Sequence, residues 1–287
     1  MLRLYRGINP FYPMPELPEV EVVRRQLQTQ IAGATIQRIW IGREDIIRQG
    51  FPSLQWYRDA RFTAIERHGK SIAVACERKG ERRFFVAELG MTGLLLFDRR
   101  FVPSDKHLHM IMDVTNGKQT TLHYWNARRF GRLYLLDEKE WEAYRKRRFG
   151  FDPLTVSEYD FVSLIKNCRG RVKALLLNQP RIAGIGNIYA NEMLFRACIH
   201  PHAHGNRLSK RRIQLLFIEM QKVLTEAIDK GGSSIRDYLS PNGTRGQFQN
   251  FHQVYMKTGQ LCPNCKTSIR RLVAERSSFF CPCCQKR

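Results

Sequence analysis

The sequence predicts an α+β protein with a strand-rich first half, a helical second half and a metal-binding tail. Eight short β-like segments lie within the first 136 residues, and helical periodicity dominates after about residue 138. Two C-x2-C pairs follow near the end of the chain. A length of 287 residues allows two domains, each with its own core.

The first predicted element is a helix over residues 18–31, in which Pro18 suits the first turn. Its apolar face comprises Val20, Val23, Leu27 and Ile31. Short β-like segments follow, separated mostly by Gly, Pro, Asp or Asn, and this pattern favours an antiparallel sandwich or barrel. The segments are 35–41, 61–66, 71–76, 84–89, 94–97, 109–114, 120–124 and 132–136.

Helices dominate the second half. A charged helical stretch, "EKEWEAYRKRRF", leads into a linker, "GFDPL", at 150–154. The clearest helix spans 210–230, with Ser209 as its cap and Gly231 at its end. The Gly- and Asn-rich segment 240–252 has no periodicity, and we expect it to be a mobile loop.

The charge indicates a polyanionic partner. Lys and Arg number 48 against 26 Asp and Glu, which gives a net charge of +22 and a pI near 10.1. Nucleic acid is the first candidate and an anionic membrane surface the second. No apolar run approaches the ~20 residues of a spanning helix. Residues 1–13 lack a continuous apolar core, so they make a poor signal peptide and a weak transit peptide.

The cysteine pattern predicts a structural zinc site. Cys262 and Cys265 form one C-x2-C pair, Cys281 and Cys284 form the other, and fifteen residues separate the pairs. Four thiolates at this spacing can surround one zinc ion and leave no open position for catalysis. Cys283 is an alternative to Cys284 as the fourth ligand. Five of the eight cysteines lie in the last 26 residues, which indicates metal binding in a reducing compartment.

Two internal motifs allow a functional and a plainer interpretation. In "AGIGNIYANE", 183–192, Asn187 begins a helix after two glycines. The backbone N–H groups at this helix start could bind a phosphate, or the glycines could form only a tight turn. In "NARRFGRL", 126–133, Phe130 is a wedge between bases with Arg128 reading a base edge, or a core residue at a cationic edge. The residues alone favour the plainer interpretation of both.

The stretch "YPMPELPEVEVVRRQ", 12–26, resembles a chain start placed inside the chain. A proline at an N-terminus is a secondary amine, and its attack on a sugar aldehyde gives an iminium that can drive elimination. Glu16 beside Pro15 could then act as general acid and base. From the chemistry alone, the plainer interpretation is favoured, in which Pro18 and Glu19 merely open a helix.

Together these segments resemble bacterial formamidopyrimidine-DNA glycosylase, from Met14 to the C-terminus. The motifs "MPELPEVE", "RHGKSI", "LGMTG", "KHLH", "ARRFG", "GIGNIYANE" and the paired cysteines occur in the order of that family. Leu17-Pro18-Glu19 is closer to this family than to the related endonuclease VIII family, in which Gly is usual at the position of Leu17.

The resemblance implies an eight-stranded antiparallel β-sandwich with flanking helices, a helix-two-turn-helix domain and a zinc finger, with DNA between the domains. We expect an extension over 1–14 that is absent from the mature protein and a catalytic sandwich over 15–148. A linker over 149–157, the helix-two-turn-helix domain over 158–257 and the finger over 258–287 complete the chain. We expect a monomer in the bacterial cytoplasm, at the nucleoid, with no membrane partner.

The implied activity is excision of oxidised purines from damaged double-stranded DNA, followed by strand cleavage. By resemblance, Pro15 is the Schiff-base nucleophile and Glu16 assists base departure and ring opening. Lys70 is assigned to the first elimination and Arg276 to the second. The residues implied to contact DNA are His107 and Asn187 on the backbone, and Met91, Arg128 and Phe130 in the gap left by the flipped nucleotide. The segment 240–252 is implied to close over the extruded base.

Three positions depart from the family pattern. Asn126-Ala127 replaces Asp-Pro before the Arg pair, which leaves the geometry of the wedge turn open. Met256-Lys257 replaces Gly-Arg before the finger. The backbone-contacting Lys expected near Cys168 is missing, and Arg169, Arg171 and Lys173 are the candidates to replace its charge.

Two other functions compete with this one. If residues 1–14 stay in place, the nitrogen of Pro15 is an amide, and the chain would be a non-enzymatic zinc-finger DNA-binding protein. A glycosylase for oxidised pyrimidines, like endonuclease VIII, is the enzymatic alternative.

Overall fold

The computed structural model describes residues 14–235, 238–273 and 276–286. The predicted extension lies outside this range except for Met14. The described chain has an N-terminal helix, a large β-sheet, a helical region and a terminal hairpin, so the predicted α+β class is confirmed.

The first half contains all eight predicted strands and one that the sequence did not indicate. After helix α1 (Leu17–Ile31), the strands are β1 (Thr35–Ile41), β2 (Ile47–Gln49), β3 (Arg61–His68), β4 (Ser71–Arg78), β5 (Glu81–Glu88), β6 (Gly93–Leu96), β7 (Leu108–Thr115), β8 (Gln119–Asn126) and β9 (Arg132–Asp137). The unforeseen strand is β2, whose three residues are too few to show a period. It pairs parallel to β9, whereas the other pairs of this sheet are antiparallel.

The nine strands have the order β2-β9-β5-β4-β3-β1-β7-β8-β6. The two halves of this order meet where β1 pairs with β3 at Thr35 and Arg61. Apolar side chains from both halves lie in one buried cluster, for example Val74 of β4 and Met112 of β7. The sheet is therefore folded over on itself around a common core, as a sandwich requires.

Helix α1 lies between this core and a second one. Val20, Val23, Leu27 and Ile31 pack into the core of the sandwich. Leu17 and Val22 instead belong to the core of the helical region. The predicted apolar face was therefore correct but incomplete, because α1 buries two faces at the junction of the domains.

The helical region follows helix α2 (Glu138–Arg148), which packs against β5 and β9. It comprises α3 (Glu158–Lys166), α4 (Val172–Leu176), α5 (Asn187–Arg196) and α6 (Lys210–Asp229). The Ser209 hydroxyl accepts a hydrogen bond from Arg212 N at 3.3 Å, and Gly231 has φ +74°. The predicted cap and end of this helix are thus confirmed.

The segment between α2 and α3 is tied to the helical region. Gly150 N and Phe151 N donate to the carbonyls of Gln179 and Arg181 at 3.0 and 3.1 Å. A Cβ on Gly150 would lie 2.3 Å from the backbone of Arg181, so only glycine fits there. Arg67 of β3 bonds both Glu21 of α1 and Asp152, at 3.2 and 2.6 Å, which joins the two halves through ion pairs.

The predicted loop 240–252 packs against neighbouring segments. Phe97 N donates to the Pro241 carbonyl at 2.9 Å, and Phe248 N donates to the Gly232 carbonyl at 3.0 Å. Phe248 is 1% exposed. The chain then forms a hairpin from β10 (Arg270–Leu272) and β11 (Ser278–Phe280). Within the described ranges, no helix has both the length and the apolarity to span a bilayer.

Candidate active site and DNA interface

Pro15 lies at the start of α1, at the junction of the two cores. Leu17 N donates to the Gly184 carbonyl at 3.0 Å, which ties this end of α1 to the loop before α5. Gly184 has φ +96°, and a Cβ there would approach the Leu17 side chain to 2.8 Å. Pro15 is buried and lines a cleft of about 340 Å³ together with Lys70, Glu88 and Arg148.

The Glu16 carboxylate occupies the N-terminus of α5. It is 3% exposed and accepts hydrogen bonds from Ile188 N at 3.0 Å and Tyr189 N at 3.3 Å. A Cβ on Gly186 would lie 2.2 Å from the Glu16 carboxyl carbon, which is why this position is glycine. The residues alone favoured a tight turn over a phosphate site, and the phosphate site is wrong for these two N–H groups, although they do bind an anion. The anion comes from the protein itself.

The pKa values of the neighbouring residues Glu16 and Lys70 are shifted in opposite directions. Burial raises the pKa of Glu16, while the charge of Lys70 and the N–H groups of Ile188 and Tyr189 oppose this. Burial also lowers the pKa of Lys70, against the attraction of Glu16, and the charge of Arg276 lowers it further. Opposed shifts of this kind, an acid with a raised pKa beside a base with a lowered one, are typical of residues that exchange protons in an active site.

A second buried carboxylate supports the first. Glu19 accepts hydrogen bonds from Tyr189 Oη at 2.5 Å, Ser233 N at 2.6 Å and Glu16 N at 2.8 Å. Burial, reinforced by the charge of Glu16, raises the pKa of Glu19 to about 7. The sequence assigned Glu19 only to the opening of a helix, and the signal for a further role was a second acid three residues after Glu16.

The predicted wedge residues form one group at the surface. Arg128 Nη1 is 3.7 Å from Met91 Sδ, and the Arg128 guanidinium carbon lies 4.9 Å from the centre of the Phe130 ring. Phe130 is 51% exposed. The plainer interpretation, with Phe130 in the core, is therefore wrong, because the turn directs this ring outward.

Asn126 holds the wedge turn in place of the usual aspartate. It is fully buried, and its Oδ1 accepts from the Thr92 hydroxyl and from Arg129 N, each at 3.0 Å. Its Nδ2 donates to Tyr124 Oη at 3.0 Å. Arg129 takes a left-handed conformation with φ +54°, and the hydrogen bond from Arg129 N to Asn126 Oδ1 stabilises it. The turn that contains Asn126-Ala127 is therefore well defined, although this pair replaces the Asp-Pro of the family pattern.

The two predicted backbone contacts lie on different domains. His107 is half-buried, precedes β7 and stands edge-on to Trp125 with the ring centres 5.9 Å apart. Asn187 is the first residue of α5, and its Oδ1 and carbonyl accept from Asn191 Nδ2 at 3.3 and 2.5 Å. The fold places Pro15 and Lys70 in one cleft, and the charges of Glu16 and Arg276 act on Lys70. His107 belongs to the sandwich and Asn187 to the helical region.

Four cysteine sulfurs in the tail fit one zinc ion. The Sγ atoms of Cys262, Cys265, Cys281 and Cys284 all lie within 4.8 Å of one another. The Cys262–Cys284 and Cys265–Cys281 pairs are 3.8 and 3.4 Å apart. Bonds of about 2.3 Å in a tetrahedron place thiolates about 3.8 Å apart, so the donor set matches zinc. Cys283 is exposed and outside the cluster, which favours Cys284 as the fourth ligand.

Lys173 holds the finger and does not lie on the surface. It is 4% exposed, and its Nζ donates to the Ser277 carbonyl at 2.7 Å and to Ser278 Oγ at 2.9 Å. Burial lowers its pKa to about 7. Lys173 is therefore wrong as a replacement for the missing DNA-contacting lysine. It instead positions the segment that follows Arg276.

Helix α5 also binds the segment that leads into the finger. The sequence did not indicate this role. The buried Glu192 carboxylate accepts from Gln253 N, Val254 N and Tyr255 N at 2.8, 3.1 and 2.8 Å. Asn191 Oδ1 accepts from Phe279 N at 2.9 Å. One helix thus holds Glu16 at its start and the finger along its side. The available signal was a polar "NE" pair inside an otherwise apolar helix.

Comparisons with known proteins cover nearly the whole chain. Three family models match: "Formamidopyrimidine-DNA glycosylase N-terminal domain" at residues 14–133, "Formamidopyrimidine-DNA glycosylase H2TH domain" at 149–238 and "Zinc finger found in FPG and IleRS" at 259–287. A formamidopyrimidine-DNA glycosylase of Solibacter usitatus is 44% identical over 277 residues, which cover 96% of this chain and 100% of that protein. One of Thermomicrobium roseum is 39% identical, covering 95% and 99%.

Solved structures agree in fold. A complex of Lactococcus lactis Fpg with an abasic site containing DNA has a TM-score of 0.84 at 34% identity, covering 95% of this chain and 100% of that one. The MutM (FPG) protein of Thermus thermophilus has a TM-score of 0.81 at 34% identity, covering 94% and 98%.

Proposed function

The chain belongs to the formamidopyrimidine-DNA glycosylase family, and from that premise we propose that it excises oxidised purines and then cleaves the strand at the abasic site. The observation that carries this proposal is the Glu16 carboxylate, buried beside Pro15 and held by two N–H groups of α5. Burial raises the pKa of Glu16, and a raised pKa favours the protonated form that a general acid needs.

The first step is displacement of the damaged base. The nitrogen of Pro15, freed of the preceding residues, attacks C1′ of the flipped nucleotide, and the electron pair of the glycosidic bond leaves with the base. Glu16 donates a proton to the departing base and then takes the N–H proton of Pro15. It donates that proton to O4′ as the C1′–O4′ bond breaks and the iminium forms. The hydrogen bonds from α5 then stabilise the carboxylate that results.

The second stage is elimination of the two phosphates. The iminium withdraws electrons, so a proton leaves C2′ and the 3′ phosphate departs. A further elimination then expels the 5′ phosphate. Lys70 is proposed to serve the first elimination, because burial lowers its pKa and increases its neutral fraction. Arg276, whose charge acts on Lys70, is proposed to serve the second as a permanent cation.

DNA lies in the proposed complex between the sandwich over 15–148 and the helical domain over 158–257, joined by 149–157, with the finger over 258–287. The zinc cysteines fold the finger and take no part in the chemistry. The proposed duplex contacts are Met91, His107, Arg128, Phe130 and Asn187. The mature protein is proposed to lack residues 1–14, to act as a monomer and to work at the nucleoid in the cytoplasm.

Replacing Glu16 tests the chemistry. In a chain that begins at Pro15, Glu16→Gln is expected to lose excision of 8-oxoguanine, because the amide cannot donate the proton, and general acid assistance is worth about 10²–10⁴-fold. Cleavage of a duplex with a preformed abasic site should fall less. Gel assays on both duplexes measure this, with Glu158→Gln as a control for an exposed acid outside the site. Equal excision by Glu16→Gln and the parent would contradict the proposal.

The same assay decides the lesion class. A Lactococcus lactis FPG was solved with an oxidized pyrimidine containing DNA, so a duplex with such a base belongs beside 8-oxoguanine. Preference for 8-oxoguanine supports the proposal. A stronger preference for the pyrimidine would replace it with the alternative glycosylase.

Removing Arg128 is expected to weaken discrimination among the bases opposite the lesion. The side chain stands over the exposed Phe130 ring, where it can donate to an unpaired base edge. A good base contact is worth about 1–3 kcal/mol. Excision by Arg128→Ala from duplexes with each opposing base measures the change, and Arg100→Ala is the exposed control. An unchanged preference would leave the group without a role in reading DNA.

A further inference from the structure

A second cavity, with a cationic lining, lies in the helical region. Its volume is about 370 Å³, and it shares no lining residue with the Pro15 cleft. Three arginines and two histidines supply its polar lining: Arg171, Arg207, Arg212, His202 and His204. No described Asp or Glu lines it. We name this cavity the arginine pocket, and none of its residues entered the mechanism above.

The sequence around the arginine pocket is nearly free of acids. Residues 161–218 contain ten Lys and Arg but a single acid, Glu192. The Glu192 carboxylate is fully buried and accepts hydrogen bonds from three backbone N–H groups in the segment 253–255. It therefore does not neutralise the pocket. Uncompensated positive charge in a surface cavity attracts anions.

The arginines of the pocket have unused donors. The side chains of Arg171 and Arg207 form no hydrogen bond or ion pair with any residue that the structure describes. Arg212 Nη2 donates to the Cys198 carbonyl at 2.8 Å, which uses one of its five side-chain N–H groups. A guanidinium is a planar fork of donors that fits phosphate oxygens. Three such forks around one cavity suit a ligand with several phosphate oxygens.

Backbone contacts fix the shape of the arginine pocket. Val172 N donates to the Ala203 carbonyl at 2.8 Å, beside an antiparallel bridge between Arg171 and His204. A Cβ on Gly205 would lie 2.5 Å from a backbone oxygen of α3, so this close approach requires glycine. The two segments that carry the cations are thus held together before any ligand binds. Such preorganisation lowers the entropic cost of binding.

The arginine pocket lies at the opposite end of α5 from the Glu16 site. Arg212 contacts the carbonyl of Cys198, just after α5 ends, whereas Glu16 binds the first N–H groups of that helix. A helix of this length, 10 residues, spans about 15 Å. An anion in the pocket is therefore too distant to take part in the chemistry at Pro15.

We propose that the arginine pocket binds a short chain of phosphate groups outside the catalytic cleft. A free oligophosphate and the backbone of a second nucleic-acid segment both present this chemistry. The volume of the pocket lies within the range of ligand sites, about 300–1,000 Å³. Because the two cavities are separate, the chain can hold this anion and a damaged duplex at the same time. The proposal goes beyond the glycosylase activity and does not depend on it.

Inorganic tripolyphosphate is the probe, and calorimetry on the chain that begins at Pro15 is the measurement. The chain is first saturated with a short duplex that carries a tetrahydrofuran abasic analogue, which occupies the catalytic cleft. We expect this complex to bind one equivalent of tripolyphosphate. Arg171→Gln combined with Arg207→Gln should weaken that binding by about tenfold or more, because charge-assisted hydrogen bonds are lost.

Lys210→Gln combined with Arg211→Gln is the matched control. Both residues are exposed at the start of α6, beside Arg212, but neither lines the pocket. The control removes the same charge from the same basic segment and should keep most of the affinity of the parent. Thermal melting should not distinguish the pocket variant from the parent, since its two side chains have no bond to lose. Absence of tripolyphosphate binding, or an equal loss in both double variants, would disprove the site.

An undamaged duplex distinguishes the two sources of phosphate. If the ligand is nucleic acid, a labelled undamaged duplex binds to the saturated complex and displaces tripolyphosphate, as followed by fluorescence anisotropy. If only tripolyphosphate binds, the ligand is a free oligophosphate; either result supports the pocket. If the analogue duplex itself prevents tripolyphosphate binding, the pocket lies on the path of the duplex in the cleft, and a separate site is disproved. None of these readouts involves excision, so their failure is distinct from failure of the glycosylase activity.

Discussion

A chain that begins at Pro15 is expected to be trapped covalently on an 8-oxoguanine duplex by borohydride, whereas a chain that keeps residues 1–14 gives no adduct. Reduction fixes the iminium, and only a free secondary amine can form it. An acylated proline nitrogen is an amide without an available lone pair. The expected difference is therefore complete trapping against none, measured by denaturing gel.

Retention of binding is the control for this experiment. Apart from Met14, which lines the cleft only in the longer chain, the cleft residues and the wedge are the same in both chains, so the longer chain should still retard the duplex. Glu16→Gln in the shorter chain keeps the free amine of Pro15 and removes the acid, so it distinguishes the contributions of the two groups to trapping. If the longer chain traps DNA equally well without proteolysis, Pro15 is not the nucleophile. Lys70, which lines the same cleft, would then be the next candidate.

Loss of a zinc ligand is expected to abolish DNA binding and leave the sandwich folded. Structural zinc contributes about 10–16 kcal/mol to the folding of small modules. Cys262→Ser or Cys281→Ser should lose the metal and the order of the hairpin, which Lys173 and Asn191 contact. Mass spectrometry of metal content, with gel retardation and circular dichroism, measures all three effects.

Cys283 provides the matched control for the zinc experiment. It lies in the same turn but outside the sulfur cluster, so Cys283→Ser should keep one zinc per chain and normal binding. Cys284→Ser should behave like the other ligand variants. Full zinc content in Cys262→Ser or Cys281→Ser, or its loss in Cys283→Ser, would contradict the assignment.

Sequence patterns determined most of the local structure. Alternation and turn residues located eight of the nine strands of the main sheet, and the Ser209 cap and Gly231 bounded α6. The paired cysteines identified the metal, because each C-x2-C turn directs two sulfurs to one point without help from distant residues. These features depend on neighbours within a few residues, and such neighbours are visible in a linear chain.

Tertiary structure decided what those local features contact. Glu16 and Ile188 are 172 residues apart, so only the folded chain shows that the α5 N-terminus binds a carboxylate and not a phosphate. The outward Phe130 and the buried Lys173 emerged in the same way, whereas the choice of Cys284 over Cys283 already followed the C-x2-C spacing and agrees with the sulfur cluster. Composition supplies the charged and polar groups, but burial and distance, which set their pKa and partners, arise when distant segments pack together.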